Sequence, residues 1–195
     1  MNKKLAAALS GGAVLALALT GCGDDSSDKL NSWARQVCEG VLPQAKKIEA
    51  ANAAIQEQTS DSSQPADVQE TDAQAFQDMS DAYQAMGTAV QKAGAPDVED
   101  GEKKQKAAVA ELNQLSSSYA SLKKQVEELD TKDQAKFADG LKDIATELNK
   151  LSESGNDALK ALEEGAVGQA MAEQASCKSA SASASTSASA SATTS

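Results

Sequence analysis

"VAELNQLSSSYASLKKQVEEL", Val109 to Leu129, is the stretch whose reading decides the fold. Its large apolar residues are Val109, Leu112, Leu115, Tyr119, Leu122, Val126 and Leu129, and the positions between them are polar except for Ala110 and Ala120. Recurrence at three and four positions places the apolar set on one stripe of an α-helix and leaves the opposite face for solvent. Ala, Glu, Gln and Lys, all good helix formers, supply most of the remainder.

The same pattern extends in both directions. Upstream, Leu30, Ala34, Val37, Val41, Ile48 and Ile55 form a row. Pro43 falls inside it and predicts a kink or a late helix start, because proline lacks the N–H that the helix needs. Polar "TSDSSQPAD", Thr59 to Asp67, ends that segment. Phe76, Met79, Tyr83, Met86, Val90 and Ala93 make the second row, closed by Gly94 and Pro96. Downstream, Asp130-Thr131 reads as a helix cap, followed by Phe137, Leu141, Ile144, Leu148, Leu151, Ala158 and Leu162, with Gly165 as terminator. Rows this close to heptads favour nearly antiparallel packing at shallow angles. With short connections the expected fold is all-α, an up-down-up-down four-helix bundle over residues 31–177.

An internal similarity accompanies the rows. "ELNQLSSS" at Glu111 recurs as "ELNKLSES" at Glu147, and Glu127-Glu128 matches Glu163-Glu164, both at an offset of 36. Phe76, Met79, Tyr83, Met86 and Val90 align with Leu112, Leu115, Tyr119, Leu122 and Val126 at the same offset. A duplicated unit and converging heptads both account for it.

The ends of the chain have a different character. Lys3-Lys4 precedes an apolar run, Leu5 to Thr20, that is short for a membrane span and suits an export signal. Leu19-Thr20-Gly21-Cys22 resembles the lipobox of bacterial lipoproteins. That resemblance implies a diacylglyceryl group on the Cys22 sulfur and cleavage after Gly21, so residues 1–21 are expected to be removed. Two acyl chains give lasting attachment where one gives only marginal binding. Residues 22–30, with Asp24, Asp25 and Asp28, read as a polar lipidated tether. At the other end, residues 178–195 contain "SASASASTSASASATTS", Ser179 to Ser195, with no large apolar group to offset the entropy of ordering. This segment is expected to be disordered, either as a passive tail or as a glycosylated or wall-threading one.

Loss of residues 1–21 takes two lysines and no acid, leaving 16 basic against 29 acidic side chains and a formal charge of −13. Binding to nucleic acid depends on Lys and Arg neutralising phosphates, so this balance argues against it. It argues equally against lying flat on an anionic membrane.

Cys38 and Cys177 remain once Cys22 is taken as the lipid attachment point. An exported chain keeps disulfides, and the remaining count is even. In the expected bundle the fourth helix runs back toward the start of the first. Ala166 to Cys177 can then cross the base and deliver Cys177 to Cys38. A pair of reactive thiols would need a basic cluster to lower a pKa, and none adjoins either residue.

Histidine is absent from the chain. That excludes Ser-His-Asp and Cys-His nucleophiles, HExxH zinc sites, the haem motif CxxCH and the usual di-iron bundle ligands. "GEKKQK" at Gly101 lacks the features of a phosphate loop. "PDVEDGE", Pro96 to Glu102, has the look of a calcium loop, but aligning Gly101 with the sixth position puts Pro96 and Val98 where oxygen ligands belong. A solvated turn is the expectation. Carboxylate pairs fall on polar helical faces, where a general acid–base pair has no burial to tune it. Met79 and Met86 are expected in the core, as are Tyr83 and Tyr119 with their hydroxyls near the rim. Trp33 is expected to plug the membrane-proximal end of the bundle, with ligand stacking as the alternative. No metal or cofactor is implied.

"NSWARQVCEGVLPQAKKIEAANAAI" from Asn31, "SDAYQAM" from Ser80, "AGAPDVEDGE" from Ala93, "KFADGL" from Lys136 and the late Cys177 resemble the actinobacterial proteins labelled small secreted protein or small lipoprotein. The resemblance implies an envelope location and an all-helical domain, and it transfers no functional residue.

Two kinds of function fit these features. One is a non-catalytic module on the outer face of the cell membrane, in part released to the medium, that binds an envelope protein or a cell-wall component. The other is a carrier of a small ligand or cation, which needs a cavity with converging polar groups or clustered carboxylates.

Overall fold

The computed structural model describes residues 24–58, 63–154 and 157–180, and among these all regular structure is α-helical. Six helices follow one another: α1 (Asp24–Gln58), α2 (Pro65–Ala93), α3 (Gly101–Glu127), α4 (Gln134–Ser154), α5 (Asp157–Glu163) and α6 (Ala166–Glu173). A last helical turn covers 175–180.

Two apolar cores fix the path of the chain. The first joins Leu30, Trp33, Ala34 and Val37 of α1 to Met86 and Val90 of α2, Ala108 and Leu112 of α3, Leu162 of α5, and Val167 and Ala170 of α6. The second joins Ala51 of α1 to Ala73, Phe76 and Met79 of α2, Leu122 and Val126 of α3, and Ile144 of α4. The early part of α1 therefore meets the late part of α2 and the early part of α3, so these three helices alternate in direction. α2 packs between α1 and α3, α4 and α5 pack on α3, and α6 packs on α1 and α5.

The expected fourth helix corresponds to α4 and α5, with residues 155 and 156 between them outside the described residues. The chain returns from the second core to the first as α4, α5 and α6. The first helix differs from the expectation. α1 runs through Pro43 from Asp24, so there is no late start, and the segment read as a tether is helical from its third residue with Leu30 buried. Asp130-Thr131 does not cap α4. Asp130 instead accepts the Lys132 N–H at 3.0 Å within the turn, and Asp133 accepts the Lys136 N–H at 3.1 Å as α4 begins. At the far end, Lys178 to Ala180 are helical and Ala180 is buried, whereas the rest of the expected disordered tail lies outside the described residues. The signal segment and Cys22 also lie outside them.

The 36-residue offset acquires a geometric meaning. Positions 72, 76, 79, 80, 86 and 90 of α2 are buried, and so are their offset partners 108, 112, 115, 116, 122 and 126 of α3. Contacts across the pair exchange under the same shift. Ser80 Oγ donates to Ser116 O at 2.8 Å, and the two hydroxyls are 3.2 Å apart. The rings of Tyr83 and Tyr119 stack with centroids 5.4 Å apart. Gln69 Nε2 donates to Val126 O at 2.9 Å, while Gln105 Nε2 donates to Val90 O at 3.2 Å. α2 and α3 are thus related by an approximate two-fold axis that passes near Ser80 and Tyr83.

Candidate functional site

At the pole where α1 begins, three connections converge. Cys38, fully buried on α1, is bonded to Cys177, with Cα atoms 4.9 Å apart across 139 positions. Chain reversal at Gly165, where φ is +68°, lets α6 turn onto α1 and bring Cys177 there. Such a conformation favours glycine because a Cβ crowds the backbone at positive φ. Trp33 is 5% exposed, and its Nε1–H donates to Gly94 O at 2.8 Å. Its indole ties α1 to the turn after α2 and is packed in the first core, so it offers no stacking platform.

The turn "PDVEDGE" connects α2 to α3 at the same pole. Pro96 is buried, and a Cβ on Gly101 would lie 2.1 Å from the Pro96 carbonyl oxygen, so the close approach of backbone to backbone requires glycine there. Asp97, Glu99 and Asp100 are exposed around it. Among the described residues no group of three or more His, Cys, Asp or Glu is placed to hold a metal ion.

Midway along the bundle the two cores are separated by polar groups. The Ser80–Ser116 pair is buried there, and Tyr83 and Tyr119 lie stacked beside it. Burial raises both phenols above their usual pKa; for Tyr83 the hydrogen bond with Tyr119 opposes this. They are neutral and held against one another, unsuited to proton transfer near neutral pH. Glu111 reaches from α3 to the start of α5, where its Oε2 accepts the Ala158 N–H at 2.8 Å, and its Oε1 is buried without a hydrogen-bond partner.

The carboxylates do not all lie on solvated faces, and this corrects the expectation. Asp72 is 7% exposed, and its Oδ1 is buried without a partner. Burial pushes its pKa up from 3.8 to about 6. Its position is legible in the sequence, because Asp72 precedes Phe76 by four and Met79 by seven on the same row. In α3 the equivalent residue is Ala108. Met79 and Met86 are core residues, as the row predicts.

The grooves among the described residues run along the surface. A trough of about 660 Å³ follows α2 between α1 and α3 and is lined by Gln36, Gly40, Asp81, Gln84, Thr88 and Asn113 among others. Another, of about 690 Å³, skirts Trp33 with Asp28, Ser32, Gln36, Pro96 and Asp97. Among the described residues no helix is long and apolar enough to cross a membrane.

Scans against known protein families, curated proteins and solved structures found no match to the chain.

Proposed function

We propose that this chain is a lipid-anchored, non-catalytic module on the outer face of the cell membrane, which binds an envelope protein or a cell-wall component through its helical surface. The observation that carries the reading is Leu19-Thr20-Gly21-Cys22 at the end of a basic and then apolar leader. The Cys38–Cys177 bond supports it independently, since disulfides persist in exported proteins and are rare in reducing compartments. The resemblance to actinobacterial small lipoproteins points the same way. Export and anchoring together explain why three cysteines occur: one carries lipid and two close the domain.

In this reading the folded part is a four-strut up-down-up-down bundle whose fourth strut is α4 followed by α5, with α6 as the segment that crosses to α1. Both cores contain residues from all four struts. Because α1 starts at Asp24, the bundle stands within two residues of the lipid on Cys22. The α1–α2 and α3–α4 connections then point away from the membrane, and partners meet that end and the sides of the bundle.

The test is crosslinking of the lipidated protein in its own cells, followed by mass spectrometry of what it captures. A specific envelope partner, lost when residues at the contact are changed to the opposite charge, is the expected result. Capture of bulk membrane proteins and wall fragments alone would contradict a stable protein partner.

A further inference from the structure

Residues 157–180, the end of the fourth strut and the segment that crosses to α1, form a strap over the first core. α5 has 7 residues and α6 has 8, and helices so short are unstable in isolation. The turn between them is tight. A Cβ on Gly168 would sit 1.7 Å from Glu163 O, so the first turn of α6 is folded back onto the last carbonyl of α5. Three attachments hold the strap down. Leu162, Val167 and Ala170 enter the first core, the Ala158 N–H meets Glu111, and Cys177 is bonded to Cys38. Beneath it lies the apolar row Leu30, Ala34 and Val37 of α1, with Ala108 and Leu112 of α3.

The α2–α3 pair has contacts of its own besides those it shares with the strap. Its interface is closed by the glutamines at both ends, the buried serines and the stacked tyrosines. The second core, which lies away from the strap, also joins α1 and α4 to the pair.

We propose that the Cys38–Cys177 bond is a redox latch on this strap: oxidised, it keeps α5 and α6 over the apolar face between α1 and α3; reduced, it frees them and uncovers that face while α1 to α3 stay folded. The reductant is a dithiol, small or protein-borne. Cys177 is half-buried and lines a surface groove of about 560 Å³ with Glu163, Gly168, Met171, Ala172 and Lys178, whereas Cys38 is fully buried. A thiolate of the reductant therefore attacks the Cys177 sulfur, with the Lys178 ammonium next in the chain favouring its approach. The S–S bond breaks, the new bond joins the reductant to Cys177, and Cys38 leaves as a thiolate that takes up a proton. The second thiol of the reductant then displaces Cys177, giving a second protein thiol and the oxidised, disulfide form of the reductant. In its closed apolar setting the departing Cys38 thiolate is poorly solvated and returns to the bond. Lifting of the strap solvates it, so reduction and opening are coupled. The latch requires only the bond and the strap, and it stands apart from lipid attachment.

Hydrogen exchange on the full chain tests it, comparing the oxidised protein with protein reduced by a phosphine. Amides of 157–180 are expected to exchange at least tenfold faster after reduction, with those of 69–126 changing less than twofold. An environment-sensitive apolar dye should bind only the reduced form. The double variant Cys38→Ser, Cys177→Ser should match the phosphine-reduced protein. Unchanged protection of the strap would overturn the proposal. Equal loss of protection across 69–126 would overturn it too, since the bond would then be a staple for the whole domain.

Discussion

Gln69 and Gln105, 36 positions apart, serve each other's helices in the same way at opposite ends of the α2–α3 pair. Gln69 Nε2 donates to Val126 O and Leu129 O, both at 2.9 Å, and to Glu127 O at 3.2 Å, where α3 runs out of intrahelical donors. Gln105 Nε2 does the same for Val90 O and Gln91 O as α2 ends. Each side chain adds a donor to carbonyls at the end of the other helix, of which Val126 O and Gln91 O also accept the backbone N–H of Leu129 and Gly94, both at 3.2 Å.

Replacement of either glutamine by alanine should therefore lower stability by about 1 kcal/mol. Gln69→Ala should cost more than Gln105→Ala, because its amide meets three carbonyls. The sites lie at opposite ends of the pair, so the double variant should show the sum of the single losses. Urea unfolding monitored by circular dichroism measures all three. Equal stability of wild type and both single variants would contradict the capping role.

Asp72 gives the protein a pH dependence of definite sign. Its folded-state pKa, about 6, lies above the ordinary 3.8, so the folded chain binds the proton more tightly than the unfolded chain. The burial penalty is present in full above about pH 6, shrinks as pH falls toward 4, and is gone below the unfolded value. Asp72→Asn should stabilise the protein at pH 7 by about 2 kcal/mol and by much less at pH 4. Thermal unfolding of both proteins across that range decides it; parallel curves would show that Asp72 is not the source.

Trp33 separates packing from hydrogen bonding. Trp33→Phe keeps most of the apolar bulk but leaves Gly94 O without its donor. The expected loss is about 1.5 kcal/mol. Trp33→Ala, which also opens a cavity in the first core, should cost about 4 kcal/mol. Similar losses for the two variants would mean that the ring adds little beyond the hydrogen bond.

The turn before α3 makes a steric prediction. Gly101→Ala places a methyl group against the Pro96 carbonyl, and backbone must move to admit it. A destabilisation on the order of 2 kcal/mol is expected. Gly94 has a positive φ of +78°, but a methyl group there would meet open space, so Gly94→Ala should cost only the conformational penalty, about 1 kcal/mol. Reversal of this order would show that conformation, not contact, selects glycine in the turn.

Much of this fold is legible in the chain itself. The apolar rows give the helices because burial of one stripe is the strongest demand on an amphipathic segment. Gly165 marks the end of the returning strut, and Ala166 onward leads to Cys177, because glycine relieves positive φ where a helix stops. Leu151, Ala158 and Leu162 stay on one helical period from α4 into α5. The period records which residues face the core. Asp133 escapes notice as a cap because Asp130 offers the same side chain three positions earlier, and only the turn geometry distinguishes them. Asp72 reads as solvated by residue type, although its position in the row places it inside.

The central claim is attachment through Cys22, and the most direct measurement is the intact mass of the protein extracted from the membrane fraction of its own cells. A chain that begins at Cys22, carries the added mass of a diacylglyceryl group, and shifts to the unlipidated precursor mass in Cys22→Ala is the predicted result. A chain that retains residues 1–21, or that is cut elsewhere and bears no lipid, would contradict the claim.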